Sequence, residues 1–464
     1  MSRHEQTDVV TSLSPQNPSD VVARVPAASS EAVQQAAAVA RQAFPEWSKT
    51  PALQRANSLE TAADSVRRSS AELIDLMVRE VGKPVLESEA EVARGIAILR
   101  YFAQQALDPS GDVLPAASPE TLLYTRRSPR GIAGLITPWN FPVAIPLWKA
   151  APALAFGNVV LLKPAPEATA IALRLAEIIG EALPPRALTV LPGGAISGRA
   201  VVEAVDLVSF TGSVPVGRAV SALAVDRGIP FQAEMGGLNA SIVLPDADVE
   251  QSAAIIASAA MGYAGQKCTA TSRTIVVGDA TRFTDALVGA VEHMTIGDPA
   301  KDDTIVGPVI TEDARDRVTG AASEARSLGG RILRGGKALD QSGWFVAPTL
   351  VDGLPPEARL LHEEVFGPIC AVISAESIEE AVEVANGVPY GLVTSIFTLD
   401  LNHALRFANE VDTGLIRVNA PTSGVDFYAP FGGEKASSMG PREQGKAARD
   451  FYTSLHTVTI AAGA

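Results

Sequence analysis

Hydrophobic residues recur at helical spacing through most of the first hundred positions. The run 70–81 is typical, because apolar side chains return every three or four residues and Gly82-Lys83-Pro84 ends it. Ser29 or Ser30 is a candidate N-cap of the first helix. The spacing predicts a mostly helical layer that covers one face of the later part of the chain, with helices at 31–44, 51–68, 70–81 and 86–107.

From Gly131 onwards, short apolar runs alternate with amphipathic stretches. This rhythm predicts a mostly parallel α/β sheet with helices on both faces. A nucleotide should bind at the carboxyl ends of such strands. The predicted strands are 132–136, 159–163, 188–191, 207–210 and 230–234, and the predicted helices are 146–155, 169–183, 198–204 and 216–223.

A second alternating series starts after Gly237 and continues to about residue 420, which predicts a second α/β domain. Two extended runs, 121–128 and 454–460, have no evident partner in either series, and we expect them to form a small extra sheet used in assembly. The other elements predicted after Gly237 are strands 241–243 and 273–277 and helices 249–264, 281–293 and 443–451.

The length of 464 residues predicts two or three domains. A net charge of −14 argues against a nucleic-acid or anionic-membrane partner. The most hydrophobic region, 131–162, is interrupted by prolines, asparagines and a lysine, so no membrane span is expected. The polar start, Met1–Asp8, has no signal-peptide core, and two cysteines are too few for a disulfide framework. We therefore expect a cytoplasmic protein.

One of the two cysteines stands among small and polar residues. Cys268, in Gly265-Gln266-Lys267-Cys268-Thr269, follows a predicted helix, whereas Cys370 lies in an apolar run and is expected in the core. Glu234 precedes Cys268 by too many residues for local pairing, and the two are suited to meet across a fold. A thiolate nucleophile needs a polar, accessible setting. The pattern indicates a cysteine nucleophile with a carboxylate base, and a small buried residue is the alternative interpretation of Cys268.

Three further stretches place polar groups at the ends of predicted strands. The Asn140 amide is suited to donate to an oxyanion, unless 136–142 is only a proline-rich loop. Lys163 stands where a cofactor ribose or phosphate would lie, or it is a solvated lysine. The turn 210–217 opens a helix whose N–H groups suit a pyrophosphate. It lacks the G-x-G-x-x-G spacing, so a generic glycine turn is the alternative interpretation.

Taken together, these stretches resemble the aldehyde dehydrogenase superfamily over nearly the whole chain. The resemblance is specific because the pieces occur in the order found in that superfamily. They are Pro138-Trp139-Asn140-Phe141-Pro142, Lys163-Pro164-Ala165, Phe210-Thr211-Gly212-Ser213, Glu234-Met235-Gly236-Gly237, Gly265-Gln266-Lys267-Cys268, Glu363-Glu364-Val365-Phe366-Gly367-Pro368 and Pro430-Phe431-Gly432-Gly433.

The resemblance implies a reaction and its residues. Cys268 attacks the aldehyde carbon, the Asn140 amide and the Cys268 backbone N–H hold the alkoxide, and hydride passes to NAD or NADP. Glu234 activates the water that hydrolyses the thioester, and Lys149 helps to move protons. No metal is implied. Lys163 would bind the adenosine ribose, Ser213 would lie by the pyrophosphate, Glu364 would bind the nicotinamide ribose with Phe366 nearby, and the other cofactor contacts would be Ile136, Thr137, Trp139, Gly198, Phe210, Thr211, Gly212, Val216 and Met235.

The chain departs from the superfamily at the ribose position. Many NAD-preferring members carry a glutamate three residues after the lysine, and Pro166 stands there in this chain, with Glu167 next. Acceptance of NADP is therefore implied.

Some stretches look like one group, the bacterial α-ketoglutaric semialdehyde (2,5-dioxopentanoate) dehydrogenases. They are 141–149, 419–426 and 440–445. Members carry a basic residue before the nucleophile, here Lys267, which would hold a substrate carboxylate and lower the pKa of the thiol. A lysine that faces solvent is the alternative. Another semialdehyde, or an aliphatic or aromatic aldehyde, stays open as the substrate.

The resemblance also implies the architecture: an aldehyde dehydrogenase-like α/β fold of two doubly wound α/β domains plus a small oligomerisation sheet. Residues 1–112 and 131–235 would bind NAD(P), 236–424 would form the catalytic domain, and 113–130 and 425–464 would be oligomerisation segments. A homodimer or homotetramer is implied.

Three rival functions fit the sequence less well. A CoA-acylating aldehyde dehydrogenase would usually lack Glu234. A cysteine hydrolase needs a histidine partner, and none of the five histidines stands in a motif-like setting. A non-catalytic binding protein on this fold should have lost Cys268 or Asn140.

Overall fold

The computed structural model describes residues 9–424 and 426–462. Helices cover most of 30–105 and then alternate with strands, as the hydrophobic pattern predicts. In the described residues the α-helices are α1 (Ser30–Lys49), α2 (Ala52–Arg68), α3 (Ser70–Val81), α4 (Val85–Gln105), α5 (Ala144–Ala155), α6 (Thr169–Gly180), α7 (Ala195–Ala204), α8 (Val214–Asp226), α9 (Val249–Met261), α10 (Thr281–Glu292), α11 (Glu312–Ser327), α12 (Ile378–Asn386), α13 (Leu401–Glu410) and α14 (Ala447–Tyr452).

The strands of the described residues fall into three larger sheets and two short antiparallel pairs. They are β1 (Val9–Ser14), β2 (Asn17–Pro26), β3 (Val113–Leu114), β4 (Thr121–Pro129), β5 (Ile132–Thr137), β6 (Val159–Pro164), β7 (Leu188–Val190), β8 (Leu207–Thr211), β9 (Phe231–Glu234), β10 (Asn239–Val243), β11 (Thr271–Val277), β12 (Arg331–Arg334), β13 (Thr349–Asp352), β14 (Ile369–Ala375), β15 (Tyr390–Gly391), β16 (Val393–Phe397), β17 (Leu415–Val418), β18 (Glu434–Lys435), β19 (Ser438–Met439) and β20 (Thr453–Ala461).

Two sheets form the body of the protein. The first has the order β19-β9-β8-β5-β6-β7, and its strands from β5 to β9 pair in parallel. The second has the order β12-β13-β14-β11-β10-β16-β17 and is parallel except at β12. Strands β5 and β6 are buried along their whole length, which explains their nearly continuous apolar sequences. The prediction of two α/β units from residue 131 onwards is confirmed.

The two extended runs without an evident partner pair with each other. Strand β20 lies antiparallel to β4 from Thr453↔Pro129 to Ala461↔Thr121, and β3 adds to the other edge of β4. The expected small extra sheet is therefore present. It keeps several exposed apolar side chains, namely Val113, Leu122, Leu455 and Ile460.

Strands β1 and β2 form a hairpin that the sequence analysis did not predict. Its turn is the Pro15-Gln16 pair, and β2 is exposed or half-buried along its whole length. Because neither face of β2 is fully buried, its sequence lacks the clean alternation that marks a strand. The polar start, Met1–Asp8, lies outside the described residues.

The predicted helix 249–264 is too long. Helix α9 ends at Met261, and Tyr263 and Ala264 adopt left-handed backbone conformations with φ of 53° and 52°. The apolar run continues through both residues, so hydrophobicity gave no signal of the break. These two residues turn the chain away from the helix axis into the segment that carries Cys268.

Residues 426–462 contribute strands to other parts of the fold besides the β3–β4–β20 sheet. Strand β19 pairs antiparallel with β9, and β18 pairs with β15. The predicted helix 443–451 begins later, at Ala447. Residues 427–445 form a strap that the β18–β15 and β19–β9 pairs hold to the body, and the Phe431–Glu443 bridge closes the strap on itself. In the part of the chain that the structure describes, none of the helices combines the length and the hydrophobicity that a membrane span requires.

Candidate active site

Cys268 lies in a half-buried loop between α9 and β11, and Asn239 fixes the backbone of that loop. The Asn239 side-chain amide donates to the carbonyl oxygens of Cys268 and Ala270, each at 2.8 Å. Gly237 permits this approach, because a Cβ there would lie 2.9 Å from the Cys268 carbonyl oxygen. The sequence analysis did not assign Asn239, although it lies just after the glycine pair.

Asn140 is buried beside the same loop. Its Nδ2 donates to the carbonyl oxygen of Gln266 at 2.9 Å, two residues before the nucleophile. The Gln266 side chain is anchored in turn, because its Oε1 accepts from the Ile310 N–H at 2.8 Å. The fold therefore brings the predicted oxyanion donor and the predicted nucleophile together from positions far apart in the sequence.

Glu234 ends β9 in a buried position and accepts a hydrogen bond from the Ser438 hydroxyl. Burial holds the pKa of Glu234 well above its usual range, and the Glu443 carboxylate raises it further. Ser438, Lys149 and Arg442 oppose this shift without reversing it. A raised pKa suits a carboxylate that takes up a proton near neutral pH.

The environment raises the pKa of the Cys268 thiol to about 12. Burial is the largest cause, followed by the negative charges of Glu364 and Glu234. Lys267 is not among the groups that set this shift, so the lowering expected from its charge does not decide the direction of the thiol pKa. The Lys267 ammonium is bound to Glu87 at 2.8 Å, which offsets its charge, and it does not face solvent freely.

A buried network of three side chains lies within electrostatic reach of Glu234. The Lys149 ammonium donates to Ser209 Oγ at 2.7 Å and pairs with Glu443 Oε1, and Ser209 Oγ donates to the same carboxylate oxygen at 3.1 Å. Among the described residues, Glu443 Oε2 has no hydrogen-bond partner. The sequence analysis named Lys149 but missed Ser209 and Glu443. Glu443 could have been indicated only by its place in Gly440-Pro441-Arg442-Glu443, which is part of one of the three stretches used to narrow the resemblance.

The predicted cofactor residues of the first sheet lie at the carboxyl ends of its strands. Thr137 ends β5 and Thr211 ends β8, and both hydroxyls are buried without a partner among the described residues. Lys163, in β6, is buried and donates to the carbonyl oxygens of Pro164 and Gly193 at 2.8 and 2.9 Å. Burial lowers the pKa of Lys163 to about 8, so the solvated interpretation is wrong. Unsatisfied hydroxyls and a buried ammonium at one sheet edge fit a dinucleotide.

The turn after β8 leads into α8. Ser213 is the N-cap residue but its hydroxyl caps no helix N–H, and Val216 is an exposed residue of the first turn. Gly212 and Gly217 pack closely, because added Cβ atoms would lie 2.6 Å from the Phe210 ring and 2.4 Å from Met235 Sδ. Free N–H groups at this helix start suit a phosphate. Gly198 faces the Lys163 stem, and Ile136 is buried in β5.

Glu364 and Phe366 approach from the second sheet. Glu364 accepts the Gly237 N–H at 3.1 Å, and burial raises its pKa to about 7. Phe366 has a φ of 56°, and its ring lies edge-on to Trp139 with centroids 5.7 Å apart. These contacts bring the Trp139 loop of the first sheet against the Cys268 side of the second. Among residues 9–424 and 426–462, no group of three or more His, Cys, Asp or Glu is placed to hold a metal ion.

Comparisons with known proteins place the whole chain beside one family. A protein-family sequence model, described as "Aldehyde dehydrogenase family", matches residues 2–458 of the chain. The chain is 40% identical to the alpha-ketoglutaric semialdehyde dehydrogenase of Bacillus subtilis, over 99% of this chain and 96% of that protein. It is 36% identical to the 2,5-dioxopentanoate dehydrogenase of Saccharolobus solfataricus, over 95% of each. A crystal structure of Staphylococcus aureus betaine aldehyde dehydrogenase with NAD+ superimposes with a TM-score of 0.94 at 30% identity, over 99% of this chain and 92% of that one.

Proposed function

Because the chain belongs to the aldehyde dehydrogenase family, we propose that it oxidises a carboxylate-bearing aldehyde, α-ketoglutaric semialdehyde, to the acid with NAD or NADP. The membership confirms the resemblance found in the sequence. One observation carries the proposal: the half-buried Cys268 thiol lies in the electrostatic reach of Glu234, and Asn140 binds the same loop.

The first step is addition of the Cys268 sulfur to the aldehyde carbon. The thiol gives its proton to solvent water, the S–C bond forms, and the π electrons of the C=O bond move to the oxygen, which becomes an alkoxide. Asn140 Nδ2 carries two hydrogens and uses one on the Gln266 carbonyl, so the other is free to donate to that alkoxide. The Cys268 backbone N–H is the second donor. Since Asn239 holds the Cys268 carbonyl, the loop backbone is already oriented before substrate arrives.

The second step releases the acid. When bound, NAD or NADP supplies a positive charge and accepts the hydride, which leaves a thioester on Cys268. Glu234 takes a proton from water as the water oxygen adds to the thioester carbon, and the C–S bond breaks to return the thiolate. Glu443 lies close enough to Glu234 to raise its pKa. We infer that Glu443 and Lys149 carry this proton away from the base.

The cofactor site accepts NADP as well as NAD. Pro166 begins a short 3-10 turn after β6 and carries no carboxylate to repel a 2′-phosphate. Glu167 follows, and its charge acts on Lys163 by raising the pKa of the ammonium. The roles assigned to Lys163, Ser213, Glu364 and Phe366 belong to the same proposal, with the first sheet as the cofactor domain and the second as the catalytic domain.

The substrate carboxylate is placed at Lys267, next to the nucleophile. This part of the proposal is supported by the two relatives named for α-ketoglutaric semialdehyde or 2,5-dioxopentanoate. The Lys267 side chain keeps 11% of its surface exposed, so it is reachable.

Assembly and location complete the proposal. We propose a homodimer or homotetramer joined through the β3–β4–β20 sheet, whose exposed apolar side chains need cover. Both cysteines are free thiols, which supports a cytoplasmic location.

The test is absorbance of the reduced nicotinamide with NAD or NADP and a panel of aldehydes. The panel is α-ketoglutaric semialdehyde, succinic semialdehyde, an aliphatic aldehyde and an aromatic aldehyde. We expect the two semialdehydes to be preferred. Preference for uncharged aldehydes would overturn the substrate assignment alone, whereas no oxidation of any aldehyde, with or without CoA, would overturn the function.

A further inference from the structure

The Lys267–Glu87 pair is a charge pair that the proposed reaction steps do not use. Lys267 Nζ lies 2.8 Å from Glu87 Oε1, and the two side chains keep 11% and 30% of their surface exposed. Glu87 stands in the first turn of α4, while Lys267 directly precedes the nucleophile. The Glu87 carboxylate is therefore already bound to the Lys267 ammonium, which in the proposed function binds the carboxylate of the substrate.

Local packing fixes this pair in place. A Cβ on Gly262 would lie 3.1 Å from both Glu87 Oε1 and Lys267 Nζ, so the absence of a side chain at Gly262 makes room for it. Behind it, Lys83 and Glu91 form their own buried pair. The described residues offer Lys267 Nζ no hydrogen-bond acceptor besides Glu87. An ammonium has three donors, so two stay open for a ligand carboxylate.

We infer that Glu87 is a specificity-determining residue that competes with the substrate's distal carboxylate for the Lys267 ammonium. The inference rests on the proposed oxidation of a carboxylate-bearing aldehyde and deepens it.

The competition follows from charge. When the substrate carboxylate binds Lys267, two carboxylates share one partly desolvated ammonium, and their repulsion offsets part of the attraction. An uncharged aldehyde does not meet this repulsion. Glu87 thus keeps the affinity for acidic aldehydes moderate, and it weakens the hold on the dicarboxylate product by the same interaction, which eases product release.

The test compares Glu87→Gln with Glu89→Gln, a matched variant that removes the same charge from an exposed position of the same helix. The readout is the ratio of KM for α-ketoglutaric semialdehyde to KM for pentanal, an uncharged aldehyde of equal length. We expect Glu87→Gln to lower this ratio about fivefold, as loss of a partly exposed like charge predicts, and Glu89→Gln to leave it unchanged. A raised ratio would mean that Glu87 orients Lys267 for the substrate instead, and would overturn the inference.

Lys267→Met separates this inference from the proposed function. We expect this variant to raise the same KM ratio, and the Glu87→Gln change to have no effect in its background. If Lys267→Met leaves the ratio unchanged while both aldehydes are still oxidised, the carboxylate site and the inference fail together and aldehyde oxidation stands. If wild-type protein oxidises neither aldehyde, the proposed function has failed.

A second measurement needs no turnover. Glutarate, an unreactive dicarboxylate, should slow alkylation of Cys268 by iodoacetamide, and should do so at about fivefold lower concentration in Glu87→Gln. If wild type and Glu87→Gln need the same glutarate concentration for the same slowing of alkylation, Glu87 does not compete with the ligand carboxylate and the inference is overturned. Thermal unfolding of each variant shows whether the fold is intact.

Discussion

Two buried lysine–glutamate pairs of this protein differ in how many of the carboxylate oxygens have a hydrogen-bond partner. In the Lys83–Glu91 pair both carboxylate oxygens are used: Glu91 Oε2 binds Lys83, and Oε1 accepts the N–H groups of Val143 and Ala144 at 2.8 and 2.9 Å. Lys83 also lies 3.8 Å from the centroid of the Phe141 ring. This pair holds the start of α4 to the start of α5.

The Lys149–Glu443 pair is equally buried but incompletely bonded. Glu443 Oε1 binds Lys149 and Ser209, whereas Oε2 has no partner in the described part of the chain. Its charge reaches Glu234 and raises the pKa of that carboxylate. Burial and ion pairing are therefore common to both pairs. The unused oxygen and the coupling to a second carboxylate distinguish the pair that we propose to move protons.

The largest expected effect is at the base that the Lys149–Glu443 pair serves. Glu234→Gln removes the proton acceptor, so thioester hydrolysis should slow about 10²–10⁴-fold. A pre-steady-state burst of reduced cofactor should remain, because Cys268 and Asn140 are intact, and stopped-flow absorbance measures both phases. Normal turnover would show that Glu234 is not the base. The Lys149–Glu443 pair would then have no proposed role in proton transfer to distinguish it from the Lys83–Glu91 pair.

Lys83→Met should destabilise the fold by about 3–5 kcal/mol, because it leaves the fully buried Glu91 charge without its partner. Urea unfolding measures the loss. Lys149→Met is the matched control. It should cost at least as much stability, since Glu443 then keeps only the Ser209 hydroxyl, whereas Glu91 keeps the N–H groups of Val143 and Ala144. A clearly smaller loss in Lys149→Met would mean that the unused oxygen lets Glu443 take up a proton when its partner is removed.

Glu443→Gln should lower steady-state turnover about tenfold and leave the burst in place. The effect is smaller than that of Glu234→Gln because Glu443 acts through the base. Its counterpart Glu91→Gln should change the unfolding free energy and leave the ratio of burst to steady-state rate near that of wild type. A normal steady-state rate in Glu443→Gln would exclude it from proton transfer.

The smallest effect concerns the thiol at rest. With a pKa of about 12, Cys268 is protonated at neutral pH, so its alkylation rate should rise about tenfold per pH unit from 7 to 10 without a plateau. Glu443 also raises this pKa, but less than Glu364 and Glu234 do. Glu443→Gln should therefore speed alkylation at pH 8 by about threefold or less, and Glu91→Gln should not. A plateau near pH 8.5 would show an ordinary thiol.

The sequence predicts the features that depend on local pattern and on motifs. The alternation of apolar runs placed β5 to β9 and their helices, since parallel strands buried on both faces leave a continuous apolar signature. The setting of Cys268 and the order of the motifs indicated the nucleophile, the base and the oxyanion donor. The sequence did not indicate the hairpin of β1 and β2, because two of the three buried residues of β1 are serines and β2 has no fully buried residue.

The sequence does not predict which distant groups satisfy one another. Lys267 looks like an available cation until the fold brings Glu87 to it from 180 residues away. Glu443 meets Lys149 across 294 residues, and no local spacing records that contact. The reversed sign of the Cys268 pKa shift has the same origin, because it comes from burial and from carboxylates on other segments.

The strap that carries Ser438 and Glu443 has a consequence for biosynthesis. Strand β9 and Lys149 leave the ribosome long before the residues that bond to them, and a chain is made at about 5–20 residues per second from its N-terminus. For many seconds the nascent protein already contains its nucleophile and its base, but not the late partners of Glu234 and Lys149. The bonds that hold Glu234 and Lys149 in place therefore form only after a late segment has been translated, so a chain interrupted before that segment contains Cys268 and Glu234 but lacks Ser438 and Glu443.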